Sequence, residues 1–429
     1  VIGANASRDG WFTDGGDITN TRRYPRAAAR TTPRPLFQEC WSVPGENALA
    51  GDVNGDGRVE VVILRGRTLS AVDARGRTLW TVPVPPNAQF DLLHDVNGDN
   101  APDAAVGWVE GNTASVRFFD GLGREIRTLS TTFPHTAYQI SAHAAADFAN
   151  DGRLGVLCSL WAGYTLYPRG LLLFDYETGA VRWFHPVAPF VKDIAIDDLD
   201  RDGRLDIVFG TYAVGNGAQV GAETDFDCRV TALRHDGNRM WSVRVGATFQ
   251  GSAVAVTDLN RDTSRRAAVG IWSSWPARRD DRSAMRTLGA DGTPTAYRGL
   301  RHTIAGERLV LGNWDERSEG LEIAFGNRDG RVYIFDADLN EVRSTAVGAE
   351  PVAQAMADLT GDGRLELIVT TRDGRLLLLD TELRTLAEHR FAAREVPPRI
   401  RIADITGNGI PDLILVTDRV ALIAVEPAK

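Results

Sequence analysis

The stretch of sequence that decides the fold is DVNGDGRVE, residues 52–60, an acidic segment between two runs of apolar residues. The same nine-residue pattern returns as DLDRDGRLD at residues 198–206 and as DLTGDGRLE at residues 358–366. Two close variants read DVNGDNAPD at residues 95–103 and DITGNGIPD at residues 404–412. Each copy joins one apolar run to the next, which is the pattern of a loop between two buried strands.

Three degenerate copies fill the gaps between these five, at residues 147–155, at residues 258–266 and in a segment that leads from Gly312 to Glu322. The eight copies recur about every 50 residues, the period expected of a four-stranded propeller blade. Short turns separate the apolar runs within each unit, and the sequence shows no long helical period. This arrangement favours an antiparallel meander over alternating strands and helices.

The seventh unit shows its four strands most clearly. Strand A is expected at residues 352–358, strand B at residues 365–371, strand C at residues 375–380 and strand D at residues 386–391. Because all eight units can be divided in this way, the sequence predicts an all-β fold, an eight-bladed β-propeller of four-stranded blades.

The eighth unit supplies strands A, B and C at residues 399–404, 412–417 and 420–425, and no strand D follows them. The segment LFQECWSVP at residues 36–44 resembles the strand D of the first unit, RTLWTVPVP at residues 77–85. Donating this strand to the last blade would close the ring and leave no exposed sheet edge. We therefore predict that an N-terminal strand closes the last blade.

This arrangement divides the chain into an irregular N-terminal strap, residues 1–35, and a single propeller domain, residues 36–429. With 43% hydrophobic and 24% charged residues, the composition is that of a globular protein. The net charge of -9 argues against a nucleic-acid partner, and no apolar run is long enough for a direct membrane span. The cysteines, Cys40, Cys158 and Cys228, have no CxxC spacing, which excludes a cysteine-based zinc site.

The acidic loops between apolar strands resemble the FG-GAP or VCBS repeats of integrin-alpha-like β-propellers, and the resemblance covers roughly residues 36–429. A weaker resemblance is to the tryptophan motifs of PQQ-type eight-bladed propellers. It rests on three sets of residues: Asp73, Gly76 and Trp80; Asp175, Gly179 and Trp183; and Asp236, Gly237 and Trp241. Because no adjacent cysteine pair or other cofactor signature accompanies them, we interpret these tryptophans as packing between blades.

The repeated loops place oxygen-bearing side chains where a hard cation can bind. Carboxylates at loop positions 1, 3 and 5, with an acid at position 9, can converge on one Ca²⁺ ion, and Gly at position 6 allows a sharp turn. Without a cation, like charges about 4 Å apart would repel by roughly 4 kcal/mol per pair at an effective dielectric constant of 20. The alternative is an Asx-turn, in which Asp and Asn cap backbone amides with no metal. Mg²⁺ fits less well because it demands tighter octahedral geometry.

Five good copies in register favour several calcium sites over metal-free turns. The family resemblance implies side-chain ligands at positions 1, 3, 5 and 9 and a backbone carbonyl at position 7. The predicted metal ligands are therefore Asp52, Asn54, Asp56, Arg58, Glu60, Asp95, Asn97, Asp99, Asp103, Asp198, Asp200, Asp202, Arg204, Asp206, Asp358, Thr360, Asp362, Arg364, Glu366, Asp404, Thr406, Asn408 and Asp412. The degenerate copies are expected to bind weakly or not at all. In one of them Ala149 and Gly155 occupy positions 3 and 9, and another ends in Arg265 and Arg266.

Long B-to-C insertions occur in units three, four and five, at residues 160–170, 212–227 and 272–282. Propeller topology places these loops on the face opposite the acidic loops, and long loops on a rigid scaffold commonly carry function. Their aromatic and arginine residues suit a protein partner or a glycan, or a contact within a larger surface assembly. The predicted partner-binding residues are Trp161, Tyr164, Tyr167, Arg169, Tyr212, Trp272, Trp275, Arg278 and Arg279.

An enzymatic interpretation rests on His135, Tyr138, His143 and His185, which fall in or near D-to-A connections on the same face. With the tyrosines of unit three they would suit proton abstraction beside a uronate carboxylate, as in some propeller-fold polysaccharide lyases. These residues have no motif spacing, however, and the sequence contains no Ser-His-Asp order, P-loop or GxGxxG context. We therefore predict no catalytic residues.

The sequence favours a non-enzymatic, calcium-binding propeller that acts as a protein-binding, adhesion or assembly module. The alternative is a carbohydrate-active propeller, either a polysaccharide lyase or a lectin. Because weak calcium sites need a calcium-rich compartment, we expect an extracytoplasmic protein that is secreted, periplasmic or at the cell surface. The chain begins at Val1 and not with Met, which suggests either a processed precursor, from which an export signal has been removed, or an incomplete chain.

Overall fold

The computed structural model describes residues 10–11, 20, 22–24, 35–135, 137–162, 167–274, 283–314, 320–393 and 395–427. These residues form eight antiparallel blades of four strands that follow one another along the chain. A single bridge between Tyr212 and Gly251 joins blades 4 and 5 into one hydrogen-bonded sheet. The predicted all-β, eight-bladed propeller is confirmed.

Each blade has its strands in the order A, B, C, D from the axis outward. Blades 1 and 2 consist of Asn47–Gly51, Glu60–Arg65, Thr68–Val72 and Thr78–Pro83, and of Gln89–His94, Asp103–Glu110, Thr113–Phe119 and Glu125–Thr132. Blades 3 and 4 consist of Gln139–Ala146, Gly155–Trp161, Gly170–Asp175 and Val181–Pro186, and of Phe190–Asp197, Asp206–Tyr212, Asp227–Leu233 and Arg239–Ala247. Blades 5 and 6 consist of Gln250–Thr257, Arg266–Ser273, Ala284–Gly289 and Pro294–Gly299, and of Val310–Gly312, Glu322–Gly326, Arg331–Phe335 and Glu341–Ala346. Blades 7 and 8 consist of Pro351–Ala357, Glu366–Thr371, Arg375–Leu379 and Thr385–Arg390, and of Arg399–Ala403, Asp412–Val416, Arg419–Pro427 and Pro35–Pro44.

The described residues also include a small hairpin of Gln219–Val220 and Glu223–Thr224 in the insertion of blade 4, and a short 3-10 helix at Ala305–Glu307. They contain no helix with the length and apolarity needed to cross a bilayer.

The last blade is closed by the N-terminal strand, as predicted. Pro35–Pro44 runs antiparallel to Arg419–Pro427, with Leu36 opposite Glu426 and Val43 opposite Val420. This pairing gives blade 8 its fourth strand by joining the N-terminal strand to Arg419–Pro427, so closure itself stabilises the ring.

The inner strands of each blade are buried and the outer strands are exposed. Every residue of Pro351–Ala357 is buried, whereas Thr78–Pro83 has no buried residue. The apolar runs of strands A and B reflect burial on both faces, because each blade packs against its two neighbours. The core therefore consists of the layers between successive blades.

In blades 1, 3, 4 and 8 a tryptophan of strand D contacts the following blade. Trp183 Nε1 donates to His235 O at 2.9 Å, in the C-to-D turn of the following blade, and the Trp183 ring covers Gly237. Trp80, Trp241 and, at the ring closure, Trp41 donate to the following blade in the same way. The predicted packing of these tryptophans between blades is confirmed.

Short segments of the N-terminal strap lie against the innermost strands. Gly10–Trp11 pairs with strand A of blade 1, and Arg23 forms a parallel bridge with Met356 of blade 7. Tyr24 N donates to Met356 O at 2.9 Å, and its side chain is buried. Asn20 Nδ2 donates to Val254 O of blade 5 at 2.6 Å. Since strands A surround the axis, these strap residues lie in the central channel.

Candidate functional site

The five regular A-to-B loops share one backbone geometry. In the first loop Asp52 accepts hydrogen bonds from the amides of Asp56 (3.0 Å) and Gly57 (2.9 Å). Asp56 accepts a further bond from the amide of Arg58 at 2.9 Å. In all five loops the position-6 amide donates to the position-1 side chain, and the position-7 amide donates to the position-5 side chain. The acidic side chains therefore turn inward over the loop.

The acid at position 9 lies beneath each of these loops, at the start of strand B. Its carboxylate accepts a bond from the loop backbone, for example from Leu359 N to Glu366 Oε2 at 2.7 Å and from Thr406 N to Asp412 Oδ2 at 2.7 Å. All five position-9 acids are buried: Glu60, Asp103, Asp206, Glu366 and Asp412. Burial, the largest cause, and the carboxylates of the same loop together raise the pKa of each of them to about 7. A buried carboxylate among other carboxylates favours a bound cation or a bound proton.

The C-to-D turns show how this chain neutralises an aspartate without a metal. Asp73 forms an ion pair with Arg77, four residues further along the chain, at 2.6 Å. Asp120 and Arg124 have the same sequence spacing and form an ion pair at 2.7 Å. Burial opposes the effect, but hydrogen bonds from Arg77 hold the pKa of Asp73 below its usual range. The position-9 acids of the A-to-B loops instead accept bonds from neutral amides and hydroxyls. Asp206 is a partial exception, because Arg234, which pairs with Asp200 at 2.7 Å, opposes the rise in the pKa of Asp206.

Two loops bring three carboxylates to a spacing that suits one metal ion. In each loop, one oxygen from each of three acids lies within 4.8 Å of the other two; the two sets are Asp198, Asp200 and Asp206, and Asp358, Asp362 and Glu366. Position 3 also contacts the acid at position 9, since Thr360 Oγ1 donates to Glu366 Oε1 at 3.0 Å. These acidic clusters can bind a metal ion, and the side chains are those that the repeat predicts.

The degenerate loops of blades 3 and 5 lack this arrangement. The copy that begins at Asp147 keeps the turn, because the amides of Asp151 and Gly152 donate to Asp147 at 3.0 and 2.7 Å, but Gly155 offers no acid at position 9. In the copy of blade 5, Arg266 forms an ion pair with Asp262 at 2.6 Å, so an arginine supplies the positive charge. The turn itself therefore does not require a metal. The copy of blade 6 does keep a buried acid, since Glu322 is 0% exposed and its Oε2 accepts a bond from Trp314 N at 2.6 Å. The five regular loops combine such a buried acid with further carboxylates of the same loop.

The face with the long insertions, which we call the insertion face, carries a continuous row of aromatic rings across blades 3, 4 and 5. This aromatic arc consists of Tyr138, Trp161, Phe190, Tyr212 and Trp272. Successive ring centroids are 5.3, 5.4, 6.3 and 5.3 Å apart, and the last pair is stacked with an interplanar angle of 7°. Tyr138 and Trp161 are 59% and 38% exposed, so the arc presents two rings to solvent on a packed base.

A buried ion pair fixes the insertions of blades 3 and 4 to each other. Arg169 Nη1 lies 3.4 Å from Asp225 Oδ2, and neither side chain is exposed. The same guanidinium donates to Ala188 O at 2.7 Å and to Asn216 Oδ1 at 3.0 Å, and it lies over the Phe190 ring at 4.4 Å. Arg169 therefore positions the loops that carry the aromatic arc.

Some of the predicted partner-binding residues are exposed at the surface, and others are buried. Trp161 is exposed, and Tyr167 and Tyr212 are half-buried. Arg169 and Trp272 are 1% and 3% exposed, so both support the face from beneath. Tyr164, Trp275, Arg278 and Arg279 lie outside the described residues.

Sequence reasoning missed two supporting residues, Phe190 and Asp225. Their signal is weak, because each is an ordinary strand or loop residue whose role appears only with its spatial neighbours.

The histidines considered for catalysis have separate partners. His143 Nε2 lies 2.7 Å from Ser159 Oγ, and His185 Nδ1 lies 3.2 Å from Gly237 O, where burial lowers the pKa of His185. The His135 ring packs edge-on against Tyr167 at 6.0 Å. These contacts anchor each ring locally and do not define an acid-base pair.

Solved structures with the same architecture define the protein class, whereas no protein-family model matches the sequence and no curated protein sequence matches it. A europium-containing methanol dehydrogenase has a TM-score of 0.61 at 11% identity and covers 95% of this chain and 89% of its own. The exotype rhamnogalacturonan lyase YesX has a TM-score of 0.57 at 13% identity, covering 92% and 75%. BBS1N, solved in complex with ARL6DN, has a TM-score of 0.51 at 13% identity, covering 92% and 98%. At these identities the similarity shows the fold alone, a β-propeller, and the likeness to FG-GAP or VCBS repeats stays an interpretation of the loops.

Proposed function

We propose that this chain is a non-enzymatic, calcium-loaded propeller that binds a protein partner through its insertion face. The observation that carries the metal assignment is the burial of five position-9 acids beside further carboxylates of the same loop. Calcium is the favoured ion because it accepts a flexible set of six to eight oxygen ligands. Side chains at positions 1, 3, 5 and 9 would hold it, together with the backbone carbonyl at position 7.

A bound ion would neutralise each acidic loop and tie the start of strand B to the loop above it. At 100 times its dissociation constant, calcium would stabilise the fold by about 2.7 kcal/mol for each site. With several such sites the stability of the whole ring would depend on calcium.

The insertion face is the proposed partner surface because its exposed rings are held on a rigid base. Tyr138 and Trp161 rest on the buried part of the aromatic arc, and the pair of Arg169 with Asp225 fixes the loops around them. Aromatic side chains that are already ordered lose little conformational entropy on binding and commonly dominate interface energies. Such a surface suits adhesion or assembly within a larger complex.

The proposal is tested by affinity capture from the source organism with wild-type protein and with the Tyr138→Ala and Trp161→Ala variants. We expect the same protein to be retained by the wild type and lost from both variants. Tyr297→Ala is the matched control, since Tyr297 is 60% exposed on strand D of blade 5, away from this face. Equal capture by all four proteins would refute the assignment of the surface.

The second candidate function is binding or cleavage of a carbohydrate. It is favoured by the same exposed rings, because aromatic faces also stack on sugars, and by the position of His143 in strand A of the same blade as Trp161. A uronate polymer incubated with the protein would then gain ultraviolet absorbance from an unsaturated product, and His143→Ala would abolish the gain. Retention on a polysaccharide column without product would indicate a lectin.

An extracytoplasmic location follows from the same reasoning about calcium. Extracellular calcium modules work at dissociation constants of about 10⁻⁴ to 10⁻³ M, far above cytosolic calcium. Fractionation of the source cells, followed by immunodetection, tests this placement, and recovery in the cytosolic fraction alone would contradict it.

A further inference from the structure

The mouth of the central channel on the insertion face is divided into two cavities of different charge. One cavity, of about 580 Å³, lies between blades 5 and 8, and its charged lining residues are four arginines, Arg308, Arg328, Arg372 and Arg399, and three glutamates, Glu307, Glu350 and Glu395. The other, of about 840 Å³, is lined by the acids Glu46, Asp91, Glu395 and Asp418. Arg399 is its one basic lining residue within the described part of the chain. We call the first of these the basic cavity.

Lys192 adds a further positive charge at the edge of the basic cavity. Of the 48 basic residues only Lys192 and Lys429 are lysines, and Lys192 is the extra residue of a bulge in strand A of blade 4. Its side chain is 40% exposed, with Nζ 3.4 Å from Glu307 Oε2 and 5.6 Å from the ring centroid of Trp272. Both neighbours line the basic cavity.

The cavity already holds a carboxylate of the chain itself. Glu350 Oε1 accepts a bond from Arg328 Nε at 2.8 Å, and Glu350 Oε2 accepts one from Arg372 Nη1 at 3.1 Å. The two arginine side chains are 38% and 57% exposed, so their remaining N–H groups face solvent. Glu350 thus shows how a glutamate from outside would be recognised, and it also competes with one.

We propose that the basic cavity binds a carboxylate-rich peptide segment of the partner protein, an inference that rests on the proposed protein-binding function. A peptide fits better than an acidic sugar because the cavity offers no open ring face: among the described residues Trp272 is its one aromatic lining residue, and it is 3% exposed. The remaining lining is rich in hydroxyl groups, from Ser273, Ser274, Thr370 and Thr371. With Lys192 at its edge, the cavity has five cationic side chains against three carboxylates, an excess of positive charge that suits an acidic segment.

The test uses fluorescein-labelled octaglutamate and fluorescence anisotropy with the calcium-loaded, full-length protein. We expect binding that weakens as salt is added, and a loss of affinity of about tenfold or more in the Arg328→Glu/Arg372→Glu variant. The Glu350→Gln variant removes the internal competitor and is expected to bind about threefold more tightly, a gain that misfolding cannot produce. Arg384→Glu is the control, because Arg384 is 75% exposed in the C-to-D turn of blade 7, on the opposite face of the ring.

Lys192 gives an independent readout, because the chain has so few lysines. Octaglutamate is expected to protect Lys192, but not Lys429, from acetylation, as measured by peptide mass spectrometry. Octaglutamine should protect neither residue. Equal protection by both peptides, or affinity that is unchanged by Glu350→Gln and by the double arginine variant, would overturn the proposal.

Two further outcomes separate this inference from the proposed function. Tighter binding of tetragalacturonate than of octaglutamate would replace the peptide with an acidic glycan. Partner capture that depends on Trp161, with no octaglutamate binding, would refute the cavity assignment and leave the proposed function intact. Octaglutamate binding, with partner capture unaffected by Trp161→Ala, would instead refute the aromatic surface and leave the cavity assignment standing.

Discussion

Replacing Arg169 by Met is expected to cost about 3–5 kcal/mol of folding free energy, because it leaves the buried carboxylate of Asp225 without its cation. The guanidinium lies 3.4 Å from that carboxylate, and both side chains are fully buried. Its bonds to Ala188 O and Asn216 Oδ1 would be lost as well. The carbon chain of Met fills part of the space, so the loss is chiefly electrostatic.

Differential scanning calorimetry measures this effect. Globular proteins unfold with an entropy of about 2.1 cal/mol/K per residue, so for 429 residues a loss of 3–5 kcal/mol lowers Tm by about 3–6 °C. Arg77→Met is the matched control, since Arg77 also pairs with an aspartate but its side chain is 70% exposed. Such surface pairs contribute about 0–1 kcal/mol. If the Tm of the Arg169→Met variant lies within a degree of the Tm of the Arg77→Met variant, the buried ion pair does not hold the insertions of blades 3 and 4 together.

Further predictions concern the blade contacts and the acidic loops. Gly237→Ala places a Cβ 2.6 Å from the Trp183 ring at a φ of +79°, so we expect a loss of about 1–3 kcal/mol in thermal melts. Gly217→Ala, at a φ of +98° with no atom nearby, should lose less. In metal-free protein the pKa of Glu366 is about 7, above its unfolded value, so the folded state binds protons more tightly than the unfolded state. Tm of chelator-treated protein should therefore fall as the pH rises from 5 to 8. A rise in Tm across that interval would contradict the conclusion that buried acids such as Glu366 have no compensating positive charge. Glu366→Gln should flatten this fall, because it removes one titrating group.

The repeat makes most of the fold predictable, because the pattern that specifies each blade is local. It predicts strand A of blade 7 at residues 352–358, and the strand occurs at Pro351–Ala357. It predicts the donated strand at residues 36–44, and that strand occurs at Pro35–Pro44. Both predictions depend on apolar runs between turns, which a single sequence shows directly.

Features that depend on distant contacts are not predictable in the same way. The sequence places Arg169 at a partner surface, but its burial comes from Asp225, 56 residues away in the sequence. The same reasoning places Trp272 at that surface, yet it stacks on Tyr212 and is buried. Composition indicates which side chains can bind a partner, whereas exposure depends on how neighbouring loops pack over them.

The tryptophan motifs show the same limit at shorter range. The sequence groups Gly76 with Trp80 because they are four residues apart, but the ring that covers Gly76 is that of Trp41. Trp80 in turn covers Gly123 of the next blade. The motif is thus a contact between neighbouring units, and its true partners are separated by about one blade.

The central claim, that the regular acidic loops are calcium sites, is tested most directly by calorimetric titration of chelator-treated protein with calcium, with Tm measured before and after. We expect binding at up to five sites, a rise in Tm, and one site fewer in the Glu366→Gln variant. Absence of heat on titration, with an unchanged Tm and no divalent metal in elemental analysis of protein purified without chelator, would contradict this claim.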